Sequence, residues 1–126
     1  MLTRLLDSVI LIDHLNDHAQ ATEFLLALNP GQTAISVITR AEILAGAETP
    51  DAIRIANALL DQYPLLIIDK ADADKAAELR RSIHWKLPDA FQAALAIRHQ
   101  VKLTTRNTKD FDPQRHAFVE VPYILH

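Results

Sequence analysis

Short apolar segments alternate with longer helix-like segments along almost the whole of this chain. Each apolar segment has the length of a strand and is bounded by polar or turn residues. Strands that are joined through helices pair in parallel, because the helical crossover returns the chain to the edge from which it started. The alternation therefore predicts an α/β fold, with a central parallel sheet of four to five strands and helices on both of its faces.

The predicted elements fill the chain and leave no room for a linker. The 126 residues include only two Gly and six Pro, and 49% of them are hydrophobic, so residues 1–126 are predicted to form a single domain. Strands are predicted at residues 2–6, 33–37, 65–68, 101–105 and 118–121. Helices are predicted at residues 7–15, 19–28, 39–46, 51–60, 71–83 and 88–99.

Composition excludes several classes of function. The chain has no cysteine, which rules out disulfides, thiolate zinc sites and cysteine nucleophiles. Its net charge of −3 argues against a broad nucleic-acid-binding surface, so any nucleic acid must meet a local basic rim. The sequence has no signal-peptide pattern and no apolar stretch long enough to span a bilayer. We therefore expect a soluble, cytoplasmic protein that does not bind membranes.

Four carboxylates lie near the points where predicted strands give way to helices, and they are Asp7, Glu42, Asp89 and Asp110. Ligands of open α/β sheets bind outside the carboxyl ends of the strands, so these side chains are expected in one crevice. Carboxylates gathered there repel one another unless a cation compensates their charge. Oxygen ligands suit a hard divalent metal ion, so the pattern favours a metal site.

Each acid taken alone also has a structural explanation. Asp7 and Asp89 lie at predicted helix starts, where a negative charge interacts favourably with the helix dipole. Thr39 and Glu42 have the spacing of a capping box, and Asn107 and Asp110 can cap the turn that follows residue 105. For any single acid, capping is the better interpretation. For the set of four, a shared site is favoured, because capping does not require all of them on one side of a sheet.

Four sequence blocks resemble the PIN domain family and, within it, the VapC-type ribonuclease toxins. The blocks are Leu5-Leu6-Asp7-Ser8, Glu42-Ile43-Leu44-Ala45-Gly46, Asp89-Ala90-Phe91-Gln92-Ala93-Ala94 and Thr105-Arg106-Asn107-Thr108-Lys109-Asp110-Phe111. Each block is weakly specific alone, but together they stand in the family's order and span nearly the whole chain.

The resemblance implies a three-layer α/β/α domain that cleaves RNA phosphodiesters with Mg²⁺ or Mn²⁺. By position, Asp7 and Asp89 match the residues that hold the metal most directly, and Glu42 and Asp110 complete the catalytic quartet. Asn107 matches a polar neighbour of the acids. Val9 departs from the family, because it stands where a small polar residue is common. The resemblance also implies an antitoxin partner, whose binding segment we expect over the apolar helices at 11–28 and 53–60, with a basic side chain reaching the acids.

Other residues have candidate roles beside the acids. Arg40, Lys86, Arg106 and Lys109 are expected either to bind flanking phosphates or to be solvated surface charges. Trp85 is expected to pack in the core or at a subunit interface rather than to stack on a base. The spacing of His14 and His18 suits zinc, but no third ligand accompanies them. The apolar helices also offer a surface for a second subunit, and a homodimer is expected.

Two other functions remain open from the sequence. A phospho-receiver also places acids and Mg²⁺ at the end of a doubly wound sheet, and Asp69 could serve as its phosphoacceptor. However, Asp69 is better explained as a helix cap, and no Lys follows the last strand. The other alternative is an inactive PIN-like binding module. The complete acidic quartet argues against that alternative, whereas Val9 leaves it open.

Overall fold

The computed structural model describes residues 1–125, and they contain a five-stranded sheet in which every neighbouring pair of strands is parallel. The strands are β1 (Arg4–Leu6), β2 (Thr33–Ser36), β3 (Leu65–Leu66), β4 (Lys102–Thr104) and β5 (Val119–Glu120). Their order across the sheet is β3-β2-β1-β4-β5, so β1 lies at the centre. Every strand falls within a predicted strand, and the fold class is confirmed.

Six α-helices and one short 3-10 helix (Pro30–Gln32) connect the strands. The α-helices are α1 (Ser8–Leu15), α2 (Ala19–Ala27), α3 (Val37–Ala45), α4 (Pro50–Leu60), α5 (Lys70–Ile83) and α6 (Leu87–His99). Five of them begin within one residue of the predicted start. No helix within residues 1–125 is long and apolar enough to cross a membrane.

The start of α3 was predicted wrongly. Its N-cap is Ser36, whose Oγ accepts the Thr39 backbone N–H at 3.1 Å, so Thr39 lies inside the helix. Thr39 and Glu42 therefore do not form a capping box. Glu42 lies in the second turn of α3 rather than at the strand–helix junction, which leaves its carboxylate free for another role.

The sheet separates two hydrophobic cores, because adjacent strand residues point to opposite faces. Leu5 packs with α5 and α6 residues such as Ala76 and Ala93. Its neighbour Leu6 packs on the other face, against residues of α1 and α4 such as Ile10 and Leu60. The predicted three layers, with helices on both faces of the sheet, are thus confirmed.

Helix α4 buries only part of the face that its sequence predicts. Ala56, Leu59 and Leu60 are buried, as expected from their spacing. Ile53 was expected on the same buried face, but 42% of it is exposed. It lies in the first turn of α4, and only the later turns contact the core.

The strand order argues against the phospho-receiver alternative. The flavodoxin-like sheet of receivers has the order 2-1-3-4-5, which puts the third strand beside the first. Here β3 is an edge strand next to β2. Asp69, which follows it, caps α5 through a reciprocal capping box with Asp72, as predicted for a structural residue.

Candidate active site

Asp7 lies at the carboxyl end of the central strand, where it ends β1 and caps α1. Its backbone N–H donates to the Thr104 carbonyl at 2.9 Å, which ties it to the end of β4. The side chain is 5% exposed and accepts three hydrogen bonds. Oδ1 accepts the Ser8 N–H at 2.9 Å and Gln92 Nε2 at 3.3 Å, and Oδ2 accepts Thr105 Oγ1 at 2.8 Å. Burial raises the pKa of Asp7 above its ordinary value, although these hydrogen bonds oppose the shift.

Asp89 lies in the first turn of α6 and is partly buried. Burial, followed by the charges of Asp7, Asp110 and Glu42, raises the pKa of Asp89 to about 6. The other three predicted acids thus lie close enough to Asp89 for their charges to act on its carboxyl group. A cation among them would remove the cause of that repulsion.

Glu42 reaches the acids from α3 through Ser8, whose Oγ donates to Glu42 Oε1 at 3.3 Å. Burial, with a contribution from the charge of Asp7, raises the pKa of Glu42. Because Ser8 directly follows Asp7, this bond connects the acid on α3 to the end of β1. Ser8 thereby supplies a hydroxyl beside the acids at the position next to Val9.

Asp110 lies in the loop after β4, where Asn107 holds it. Asn107 Nδ2 donates to Asp110 Oδ2 at 2.8 Å, and the Asp110 N–H donates to Asn107 Oδ1 at 3.4 Å. Trp85 Nε1 donates to the Asp110 carbonyl at 2.7 Å and so fixes the backbone of this loop. The predicted local pairing of Asn107 with Asp110 therefore occurs, and it leaves Asp110 exposed at the site.

Two adjoining cavities open at the acids. The first, here called the acid pocket, has a volume of about 370 Å³ and is lined by Asp7, Ser8, Val9, Asp89, Arg106, Asn107, Thr108 and Lys109. The second, the side cleft, has a volume of about 570 Å³ and shares Asp89, Thr108 and Lys109 with the acid pocket. The remaining residues that line it are Ile83, His84, Trp85, Lys86, Asp110, Asp112, Arg115 and His116. Glu42 lines neither cavity and acts on the acids through its charge and through Ser8.

The acids suit a hard cation in their chemistry but are not arranged as a closed metal site. Within residues 1–125, no group of three or more His, Cys, Asp or Glu side chains is placed to hold a metal ion. A donor set made only of oxygens, in which burial and then neighbouring acids raise the pKa values of Asp7 and Asp89, matches what Mg²⁺ or Mn²⁺ binds. Of the two histidines whose spacing suits zinc, His14 instead bonds Thr22 Oγ1 through Nδ1 at 2.8 Å.

Gln92 and Thr105 are site residues that the sequence reasoning missed. Gln92 is 1% exposed, and its Nε2 donates to Asp7 and also to Thr39 Oγ1 at 2.8 Å. Its Oε1 accepts Ser36 Oγ at 2.6 Å, so Gln92 connects the start of α3 with the end of β1. A glutamine on the otherwise apolar face of α6 was the available signal, because buried polar groups must find partners.

Two of the four predicted basic residues have other partners. Arg40 donates to Asp61 Oδ1 and to Asn57 Oδ1, both at 2.9 Å, and so ties α3 to α4. Arg106 forms a bidentate pair with the buried Asp13, at 2.6 and 2.8 Å.

Tyr123 also donates to Asp13 Oδ2, at 2.8 Å. Burial alone would raise the pKa of Asp13, but the hydrogen bonds from Arg106 and Tyr123 hold that pKa below its ordinary value.

Trp85 is 5% exposed and packs against Phe111, with ring centroids 5.0 Å apart, so its predicted packing role is confirmed.

An apolar groove lies away from the acids, between the end of α1 and the helices α3 and α4. It has a volume of about 260 Å³ and is lined by Leu15, Ile43, Gly46, Ala47, Ala52 and Ile55. Several large apolar side chains near it are exposed to solvent, among them Ile12, Ile53 and Ile55. The apolar surface expected on these helices is therefore present.

Comparisons with known proteins agree with the geometry. The sequence profile described as PIN domain matches residues 4–115. A chain of a toxin-antitoxin complex from Klebsiella pneumoniae is 35% identical, with a TM-score of 0.88 over 98% of this chain and 100% of that chain. A comparison with curated protein sequences finds no match.

Two more distant structures share the fold. FitAcB from Neisseria gonorrhoeae is 22% identical, with a TM-score of 0.78 over 95% of this chain and 98% of that chain. DNA-bound VapBC from Salmonella typhimurium is 23% identical, with a TM-score of 0.72 over 89% of this chain and 92% of that chain.

Proposed function

Because this chain belongs to the PIN domain family, we propose that it is a metal-dependent endoribonuclease and the toxin of a toxin–antitoxin pair. The observation that carries the proposal is that Asp7 and Asp89 line one pocket, while Asp110 lines the adjoining cleft and Glu42 is bonded to Ser8, the neighbour of Asp7. A fold gains no stability from gathering unpaired acids. Their proximity is therefore explained by a ligand that their combined charge attracts.

Asp7 and Asp89 are the proposed direct ligands of Mg²⁺ or Mn²⁺, and Glu42 and Asp110 are proposed to act through water. Asp7 and Asp89 both line the acid pocket, whereas Glu42 stands outside it and Asp110 lines the side cleft. When bound, such an ion supplies charge neutralisation at the phosphoryl group and a water of lowered pKa.

The protein's own contribution is to hold the acids in place. Thr105, Gln92 and the Ser8 N–H fix both oxygens of Asp7, so that the carboxylate needs no reorientation when it binds. Ser8 positions Glu42, and Asn107 positions Asp110. The side chain of Val9 adds no hydrogen bond in the acid pocket; the Ser8 N–H, the Thr105 hydroxyl and the Gln92 amide provide the polar contacts of Asp7.

Labelled RNA, with and without Mn²⁺, tests the proposal directly. We expect cleavage by the wild type that EDTA stops, and a loss of at least about 100-fold for Asp89→Asn, because metal ligands and the groups that orient them affect activity on this scale. Asp74→Asn removes an exposed carboxylate of α5 that lines neither cavity and is the matched control. Full activity of Asp89→Asn at low Mg²⁺ would contradict the assignment, and an inactive wild type would favour the binding-module alternative.

The proposed partner is an antitoxin that covers the apolar groove beside α1, α3 and α4. The exposed Ile12, Ile53 and Ile55 give such a partner an apolar surface, and a segment that folds on binding can cover it widely. A basic side chain of that partner is proposed to reach the acid pocket, where it would compete with the metal. A homodimer and a cytoplasmic location, both expected from the sequence, belong to the same proposal.

A further inference from the structure

The side cleft is larger than the acid pocket and joins it along a common wall made of Asp89, Thr108 and Lys109. A ligand that extends from one cavity into the other therefore passes directly over the acids. Lys86 and Arg115 line the side cleft but not the acid pocket.

The cations of the side cleft have no carboxylate partner. Of the ten other Lys and Arg side chains in residues 1–125, six form an ion pair (Arg4, Arg40, Arg54, Lys75, Arg98 and Arg106), whereas Lys70, Arg80, Arg81 and Lys102 do not and line neither cavity. Within the same residues, no ion pair involves Lys86, Lys109 or Arg115, and all three are exposed. They come from three separate segments: the N-cap of α6, the loop after β4 and the loop before β5. Three free cations converge on one cavity, although the chain as a whole is acidic.

Three acids also line the cleft: Asp89, which the cleft shares with the acid pocket, and Asp110 and Asp112, which are bonded to their own loops. Asp112 Oδ1 accepts the Gln114 N–H at 2.9 Å, and Asp110 Oδ2 accepts Asn107 Nδ2 at 2.8 Å. The walls are fixed as well, because Trp85 is buried, bonds the Asp110 carbonyl and packs against the His116 ring at 4.9 Å. The left-handed backbone of His84, with φ 70°, turns the chain between α5 and α6 so that Trp85 faces inward and Lys86 is left at the cleft.

We propose that the side cleft binds the phosphodiester backbone of single-stranded RNA next to the scissile bond, with Lys86, Lys109 and Arg115 as phosphate contacts. This inference rests on the proposed function and names the path of its substrate. A phosphate that approaches four carboxylates is repelled, so a substrate needs attraction close to the acids but outside them. Contacts to flanking phosphates supply that attraction and position the strand without reading its sequence. Arg40 and Arg106, which the sequence placed beside them, are occupied by Asp61 and Asp13.

The test measures binding of fluorescent oligouridylate to the Asp7→Asn protein at several salt concentrations. We expect the Lys86→Gln/Lys109→Gln/Arg115→Gln variant to bind more weakly and to lose roughly 2 from the slope of log K against log salt, because each single-strand contact contributes about 0.7. The matched control, Arg54→Gln/Lys70→Gln/Lys102→Gln, removes the same charge from exposed residues that line neither cavity. This control variant should keep most of the slope of log K against log salt.

Two further outcomes separate the cleft from general electrostatics and from misfolding. The charge-preserving Lys86→Arg/Lys109→Arg/Arg115→Lys variant should bind almost as tightly as its parent, because it changes the same three positions but keeps their charge. Equal weakening by the cleft variant and its control would overturn the proposal. If wild-type protein cleaves RNA but the cleft variant retains full affinity, only the cleft inference fails; if the wild type does not cleave RNA, the proposed function fails.

Discussion

At the scale of single residues, Asp7 and Asp89, the two proposed metal ligands, lie in different environments. Asp7 is almost completely buried and is held by three hydrogen bonds. Asp89 is partly exposed, and the neighbours that raise its pKa most after burial are other acids, Asp7 first among them. One carboxylate is thus fixed in orientation, whereas the other is destabilised in its charged form, which the proposed cation would relieve.

The raised pKa of Asp89 predicts a pH-dependent stability change in the metal-free protein. The Asp89 carboxyl has a pKa of about 6 in the folded state and an ordinary pKa of 3.8 in the unfolded state, so it loses its proton at a higher pH when the protein is folded. Between these values the folded state binds more protons, so the contribution of Asp89 to stability falls as the pH rises and is lost above about pH 6. Asp89→Asn should therefore stabilise the protein at pH 7 and change little at pH 4.

Urea unfolding in EDTA at both pH values measures this difference. The expected gain at pH 7 is on the order of 1 kcal/mol, discounted from the full shift because solvent screens a half-exposed charge. Asp74→Asn, which removes an exposed carboxylate of α5, is the control for the loss of one surface charge. A gain of equal size at pH 4 and pH 7 would count against the electrostatic explanation.

At the scale of secondary structure elements, the start of α3 is coupled to the acids. Ser36 caps the helix through the Thr39 N–H, and its hydroxyl also donates to Gln92, which in turn bonds Asp7. The cap of α4 has no such connection, because Thr49 Oγ1 only accepts the Ala52 N–H at an exposed position. The two hydroxyl N-caps therefore differ in their further contacts: Ser36 is connected through Gln92 to Asp7, whereas Thr49 only caps its own helix.

Replacement of these two caps by alanine should give different losses of stability. Thr49→Ala removes one exposed cap and should cost about 1 kcal/mol. Ser36→Ala removes a cap and also leaves the buried Gln92 Oε1 without its partner, so about 2–4 kcal/mol is expected from the two effects together. Urea denaturation of both variants provides the measurement. Equal losses would show that the bond between Ser36 and Gln92 contributes little.

At the scale of the whole molecule, the sheet brings separate segments of the chain to the acid pocket. Asp7 comes from the end of β1, Asp89 from the first turn of α6, and Lys109 from the loop after β4. Tyr123, near the end of the described chain, connects this last segment to α1, because its hydroxyl donates to Asp13, which also binds Arg106. The apolar groove and the acid pocket share no lining residue, so a partner that covers the groove does not have to fill the acid pocket.

If the whole protein acts as a toxin, its expression without a partner should slow or stop growth. Asp7→Asn removes one negative charge from the proposed metal site while keeping the size of the side chain, so it should relieve the effect. Growth after induction, compared at matched protein levels, provides the measurement. Equal growth with the wild type and Asp7→Asn would count against the toxin assignment and would favour the alternative of an inactive binding module.

The sequence by itself determined the fold class and the location of most elements. Apolar periodicity and turn residues are local signals, and they placed all five strands and the starts of five helices. The start of α3 was not predicted correctly, because Ser36 and Thr39 are both acceptable caps and the sequence does not show that both hydroxyls also bond Gln92, more than 50 residues away. The roles of Arg40 and Arg106 depended in the same way on distant acids, Asp61 and Asp13.

The sequence also predicts the four acids as a set, because it places each of them near a strand or helix end, and their shared role stays a prediction. Only the tertiary structure decided which of them share a cavity, that Gln92 and Thr105 hold Asp7, and that Arg115 joins Lys86 and Lys109 at the side cleft. The physical reason is that backbone conformation responds to neighbouring residues, whereas charge and hydrogen bonding act between side chains that come together only when the sheet and its helices have assembled.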